Sequence, residues 1–223
     1  MLDDTVKKIM KSACGLDATF TFGCKKCGRC CKHRTDIILN PEDIFRIAQY
    51  FQRRPIEIIE RYCNMDTRNT SKLPYVYIKP VGQDEACPFL REKKCIIHKA
   101  KPVMCAIYPL GRLISLEKMK VEYIIQATHC GNGQETYTVR EWITKFGYEN
   151  DGEFFFLYQD ILLFLGGFMI EYKEKLTRRT INNLYYTMKS YLYLEYDIKQ
   201  PFLPQFKSNV HKLKLIIEDL KLE

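Results

Sequence analysis

Two groups of cysteines carry most of the chemistry legible in this chain. The first is Cys24-x2-Cys27-x2-Cys30-Cys31, the second is Cys87-x7-Cys95-x9-Cys105, and Cys130 follows further on, so that eight of the ten cysteines are accounted for. A C-x-x-C turn lets two thiolates reach one ion from a single tight loop, the spacing that tetrahedral zinc sites use. Two consecutive C-x2-C steps also open the bacterial iron-sulfur run, whose fourth cysteine is followed by proline. Here the only Cys-Pro pair is the distant Cys87-Pro88, so that pattern is partial. Neighbouring side chains on an extended backbone point to opposite sides, which predicts that Cys30 and Cys31 serve different sites or bridge two metals. Eight thiolates could close two four-coordinate sites, or complete one cluster and leave four for another task.

His33, His98 and His129 stand close to Cys31, Cys95 and Cys130 and are expected to hydrogen-bond a ligand more readily than to be one, with His98 the best candidate for direct ligation. Lys25, Lys26, Arg29, Lys32 and Arg34 surround the first cluster and would lower thiol pKa values nearby, so a reactive cysteine is compatible with the pattern. Cys63 is predicted on the apolar face of a helix, where packing suffices to explain it. Cys14 lies near the end of another predicted helix and has no assigned role.

These side chains need elements to hold them. Phe22–Arg34 has two glycines and neither helical nor strand periodicity, so it reads as a loop organised by something other than packing. Met1–Ala13 is predicted as a short helix with acids in its first turn. Asn40-Pro41-Glu42-Asp43 is a helix start, followed by Ile44, Ile47, Ala48 and Phe51 on one face, and Pro55 opens a second helix bearing Ile56 and Ile59. Tyr75–Lys79 reads as a strand, and Leu113–Leu116 with Val121–Gln126 as a hairpin, making the middle the only β-prone region. Thr138–Glu141 is a capping box that opens a helix, and three more are expected over Asp151–Lys175, Thr177–Glu195 and Ser208–Leu222, with Pro201 and Pro204 marking a break before the last. The expectation is an α+β chain, mostly helical: a loop-rich, metal-organised half with a small antiparallel β element, residues 1–135, and a helical half, residues 136–223, packed on it.

Around the second cluster the chain reads Cys87-Pro88-Phe89-Leu90, Cys95-Ile96-Ile97-His98 and Lys101-Pro102-Val103-Met104-Cys105-Ala106-Ile107-Tyr108-Pro109. With the first cluster, these residues resemble the YkgJ-type CxxCxxCC family, which combines that signature with CPFL, a lone Cys and a basic-Pro-x-x-Cys segment ending in an aromatic-Pro pair. The chain departs from the family at Lys101, where Arg is usual, at His98, where Tyr is common, and at Ala106, where Arg is common. The resemblance spans about Phe22–Gly133. It implies chelation of zinc or an iron-sulfur centre, and the ligands expected from the cysteine pattern are Cys24, Cys27, Cys30, Cys31, Cys87, Cys95, Cys105 and Cys130. Flagellin lysine N-methylases carry a similar cluster, which keeps a methyltransferase reading open. No Gly-rich nucleotide fingerprint accompanies it, and Gly23 stands where a radical-enzyme C-x3-C-x2-C run would have its first cysteine.

Composition narrows the rest. Over 223 residues, 46% hydrophobic and 28% charged residues exclude collagen-like and disordered chains and allow a sizeable core. The cysteine content is too low for a disulfide scaffold, and the acidic start shows no signal-peptide pattern, so the expected compartment is the cytoplasm. Phe154–Ile170 is the most apolar stretch, but it is shorter than a span of ~20 residues and has Asp160 in its middle, so no membrane span is expected. The net charge of +8 gathers beside the first cysteine run. Thiolate-bound metal would offset much of it, and the aromatics fall at core spacing, so nucleic acid is disfavoured as a partner. An iron-sulfur centre with an open position would support redox or group-transfer chemistry on an unidentified protein or small molecule. A closed zinc site would make the protein an interaction module.

Overall fold

The structure is a computed structural model that describes residues 11–25, 27–66, 73–115, 120–128, 131, 133, 135–149 and 152–220. Most of the predicted N-terminal helix, the tip of the predicted hairpin, His129 and Cys130 lie outside the described residues. The fold is α+β and mostly helical, with small antiparallel sheets. Strand β1 (Thr19–Thr21) leads into the first cysteine loop, which ends in β2 (Ile38–Leu39). Helix α1 (Pro41–Phe51) starts where a reciprocal capping box forms: the Asn40 side chain accepts from the Asp43 amide at 2.8 Å, and Asp43 accepts from the Asn40 amide at 3.1 Å. Helix α2 (Pro55–Tyr62) follows with proline in its first turn, then β3 (Cys63–Asp66) and β4 (Tyr75–Ile78). These strands form a sheet in the order β2-β4-β3, with Val76 and Ile78 turned into the core.

The second cysteine segment comprises the short hairpin β5 (Leu90–Arg91) and β6 (Lys94–Cys95), then helix α3 (Val103–Ala106). Strands β7 (Leu110–Ser115) and β8 (Lys120–Ile125) pair in antiparallel register, and β9 (Thr136–Thr138) pairs with β1. The four remaining helices are α4 (Val139–Lys145), α5 (Gly152–Tyr172), α6 (Arg178–Lys189), which runs on into a π-helical turn over Ser190–Leu194, and α7 (Phe202–Asp219).

Two apolar clusters hold this together. The larger one packs Leu39, Ile44, Ile58, Val76 and Phe89 against Ile161, Leu165, Leu192, Tyr193 and Phe206. The smaller one sets Phe20 and Phe22 against Val103, Ile107, Val139 and Trp142, with the Trp142 ring edge-on to both phenylalanines. Each cluster draws on residues from both sides of position 135, so the cysteine-bearing and helical halves share their cores. Tyrosines buried in the larger cluster find partners: Tyr158 and Tyr193 join hydroxyls at 3.0 Å, and Tyr193 donates to the Pro74 carbonyl.

Several expectations change. Cys63 is not on a helix face: α2 stops at Tyr62, and Cys63 adopts an extended backbone, opens β3 and is buried opposite Ile78. The β-prone region is not confined to the middle, because β1 and β9 meet across more than a hundred residues, a pairing that short Thr-rich segments do not announce. Helix α7 begins at Phe202 rather than Ser208, since Pro204 falls in the first turn, where its missing N–H costs nothing. The apolar stretch lies in a helix of 21 residues, long and apolar enough to cross a membrane by length and composition. In this fold it buries Phe154, Ile161, Leu165 and Met169 in the core, and Asp160 pairs with Lys214 at 2.8 Å.

Candidate metal centre

The first cysteine loop is tied at its two ends. At its start, the Phe22 amide donates to the Glu135 carbonyl, and a Cβ on Gly131 would lie 2.8 Å from the Phe22 ring, so only glycine allows that approach. At its end, Gly28 takes a left-handed backbone (φ 74°) and opens a 3-10 turn over Arg29–Cys31. A Cβ on Gly28 would lie 3.3 Å from the Leu90 side chain, so the turn rests on the β5–β6 hairpin. The decisive link is a backbone bond: the Cys87 amide donates to the Cys31 carbonyl at 2.7 Å and joins the two cysteine segments directly. Lys32 reinforces it through an ion pair with Asp84 at 2.5 Å.

The second segment is shaped by tight turns. Glu92 and Lys93, with φ of 49° and 63°, form the two-residue loop between β5 and β6, and Cys95 stands opposite Leu90. The Leu90 amide donates to the Cys87 carbonyl at 2.9 Å, curling the Cys87-Pro88-Phe89 turn over the fully buried Phe89. Cys105 lies on α3, preceded by Pro102, which offers no side-chain cap. The cap comes from Asp43, sixty residues earlier: its Oδ1 accepts from the Val103 amide at 2.8 Å. Tyr148 donates to the Lys101 carbonyl at 3.1 Å and itself accepts from Arg46, while Trp142 donates to the Ile107 carbonyl at 2.9 Å.

Cys30, Cys31, Cys87, Cys95 and Cys105 are close enough to feel one another's charge. Burial pushes the Cys87 thiol up to about 11 and raises Cys95 and Cys105 as well. Cys30 goes the other way, to about 6, because the Cys31 thiol hydrogen-bonds it, against the cost of burial, with Lys101 and Arg34 adding positive charge. The same hydrogen bond raises Cys31. The Cys30 and Cys31 sulfurs lie 3.9 Å apart. The extended backbone expected at this pair is absent, because the 3-10 turn swings adjacent side chains toward one another.

The remaining sequence candidates are placed as follows. Cys24 and Cys27 are exposed on the loop before the turn, and Cys130 lies outside the described residues. His33 is exposed, with Nδ1 3.8 Å from Glu85, and His98 is exposed at the start of a 3-10 turn. Cys14 bridges to Tyr123 and donates its thiol to the Tyr123 carbonyl at 3.3 Å, away from the clusters in sequence and in bonding. Among the described residues, all nine cysteines are free thiols, and no three His, Cys, Asp or Glu side chains already stand as a ready-made ion site.

The donor chemistry fits zinc or iron. Soft sulfur donors with one thiol already acidic, and with cations at the rim, suit such ions, whose charge would offset the burial of the other thiolates. Arg34 acts on Cys30 as expected of the cations beside the first cluster, whereas nothing in the sequence singles out Asp43, Tyr148 or Trp142 as supports of the site. The Asn40/Asp43 capping box was visible, but the bond from Asp43 to Val103 has no local signal.

Comparison with known proteins agrees with this chemistry. Residues 23–131 match the CxxCxxCC family, described as "Putative zinc- or iron-chelating domain". An uncharacterized protein of Methanocaldococcus jannaschii, MJ0661, is 27% identical over 138 residues, which cover 57% of this chain and 71% of that protein. No solved structure matches.

Proposed function

With residues 23–131 matching a domain family described by zinc or iron chelation, we propose that this protein binds zinc or an iron-sulfur cluster through cysteine thiolates. Cys30, Cys31, Cys87, Cys95 and Cys105 form the nucleus of the site, Cys24 and Cys27 add ligands from the loop before the turn, and Cys130, outside the described residues, is the eighth ligand expected from the sequence. The observation that carries this reading is the bond from the Cys87 amide to the Cys31 carbonyl, which joins two cysteine segments far apart in sequence whose thiols are close enough to feel one another's charge. The 3.9 Å between the Cys30 and Cys31 sulfurs supports it, because two thiolates on one tetrahedral zinc at about 2.3 Å stand about 3.8 Å apart. Free thiols are the state ligation requires, and a reducing cytoplasmic setting goes with that.

When bound, zinc would order the loops, and an iron-sulfur centre would add redox or group-transfer capacity. Whichever is bound, Lys101 and Arg34 hold positive charge beside Cys30, and the buried Phe89 closes the floor of the second segment. The test is elemental and sulfide analysis with a visible spectrum on protein purified without oxygen. We expect zinc, or iron with sulfide, in whole-number ratio, and a lower ratio in Cys31→Ser and Cys105→Ser. Metal-free protein that keeps its full Tm would contradict the proposal, because sites of this kind couple metal binding to folding.

A further inference from the structure

Among the described residues, the charged residue most deeply buried in the cysteine-bearing half is Asp43, with 2% of its surface exposed. Its Oδ2 accepts from the Asn40 amide, which a helix cap explains. Its Oδ1 does something a cap does not require: it reaches another segment and accepts from the Val103 amide at 2.8 Å, two residues before Cys105. Helix α3 is only four residues long and follows a proline with no capping side chain, so it has no local reason to start where it does. One turn further along α1, Arg46 donates to the Tyr148 hydroxyl, with its guanidinium 5.0 Å from the centre of that ring. Tyr148 in turn donates to the Lys101 carbonyl. A single turn of α1 thus grips Lys101–Val103 at both ends, through the Lys101 carbonyl and the Val103 amide.

We infer that Asp43 is a positioning residue for the metal site: by capping α3 from outside its own segment, it fixes the direction in which Cys105 presents its sulfur. The inference rests on the reading of Cys105 as a ligand. Tyr148 is the auxiliary grip on the same segment. Outer groups that orient ligands typically alter metal affinity by about 10- to 100-fold when removed, and Asp43 belongs in that range.

The test compares wild type with Asp43→Ala, Asp43→Asn, Tyr148→Phe and Asn40→Ala, each reconstituted anaerobically with cobalt(II), or with iron and sulfide. Loss of the visible thiolate-to-metal absorption on adding excess chelator gives the release rate, and the band position reports the ligand geometry. Asn40→Ala weakens the α1 cap but leaves the bond to Val103, so it controls for a merely structural role. We expect about 10- to 100-fold faster release and a displaced band in Asp43→Ala, and a smaller acceleration in Asp43→Asn, whose amide oxygen can still accept from Val103. Tyr148→Phe should accelerate release by a few-fold, and Asn40→Ala should match wild type. If Asp43→Ala does not fold, Asp43→Asn and Tyr148→Phe decide the matter. Asp43 variants that release metal as slowly as Asn40→Ala, with an unmoved band, would overturn the role of Asp43 alone. Wild-type protein that takes up neither cobalt nor iron with sulfide would overturn the metal reading itself.

Discussion

Cys105 sits on a turn held by Asp43, Tyr148 and Trp142, whose bonds reach Val103, Lys101 and Ile107. Cys24 and Cys27 lie exposed on a loop tied at Phe22 and again from Gly28 onward. Both segments offer thiols, yet one is built into the core and the other skirts it. Under the proposed function the contrast divides the labour: the Cys87–Cys105 segment and the Cys30-Cys31 turn would present ligands in fixed directions, and Cys24 and Cys27 would add theirs from the exposed loop. Burial without a cation is costly for thiolates, which is why Cys87, Cys95 and Cys105 stay protonated at neutral pH.

The strongest way to break this comparison is to remove one thiol from each side. Cys105→Ser should lower metal content several-fold in anaerobic elemental analysis, whereas Cys24→Ser should retain full metal content and release it to a chelator several-fold faster. Equal losses would erase the distinction between held and closing ligands. Next in size is Trp142→Ala. Trp142 fills the smaller cluster, packs edge-on against Phe20 and Phe22 and bonds Ile107. Its removal should cost about 3–5 kcal/mol in urea denaturation and should loosen metal, because it frees the segment leaving Cys105.

A pH series sharpens the same contrast. Cys87, raised to about 11, and Cys95 and Cys105, also raised by burial, hold protons at neutral pH that an incoming ion must displace. Affinity should therefore rise with pH between 6 and 8, by about tenfold per unit for each proton expelled. Cys30, lowered to about 6, is deprotonated over most of that range and contributes little to the slope. A flat profile in a chelator competition would show that the buried thiols are not ligands. The smallest effect is expected from Thr138→Ala, which removes the cap of α4, where the Thr138 hydroxyl accepts from the Glu141 amide at 3.1 Å. It should cost about 1 kcal/mol of stability and leave metal content unchanged.

Much of the fold was legible because local signals agreed with the global structure. The Asn40-Pro41 start, the Thr138/Glu141 capping box and the Tyr75–Ile78 strand all form where the residue types predict. What escaped reading was long-range. The β1–β9 pairing and the Asp43–Val103 bond join segments whose sequences say nothing of each other, and Pro204, a breaker by residue type, sits in a first turn that tolerates it. In the site, the cysteine spacing pointed to the thiols but not to their directions. Cys30 and Cys31 were expected to diverge, and a glycine-initiated 3-10 turn brings them together.

The central claim is that thiols from both cysteine segments ligate one centre. X-ray absorption at the metal edge of anaerobically purified protein tests it most directly. The account predicts a sulfur-only first coordination sphere, with metal–sulfur distances of about 2.3 Å, that loses a sulfur in both Cys31→Ser and Cys105→Ser. A sphere of nitrogen and oxygen neighbours, or one that either substitution leaves unchanged, would contradict it.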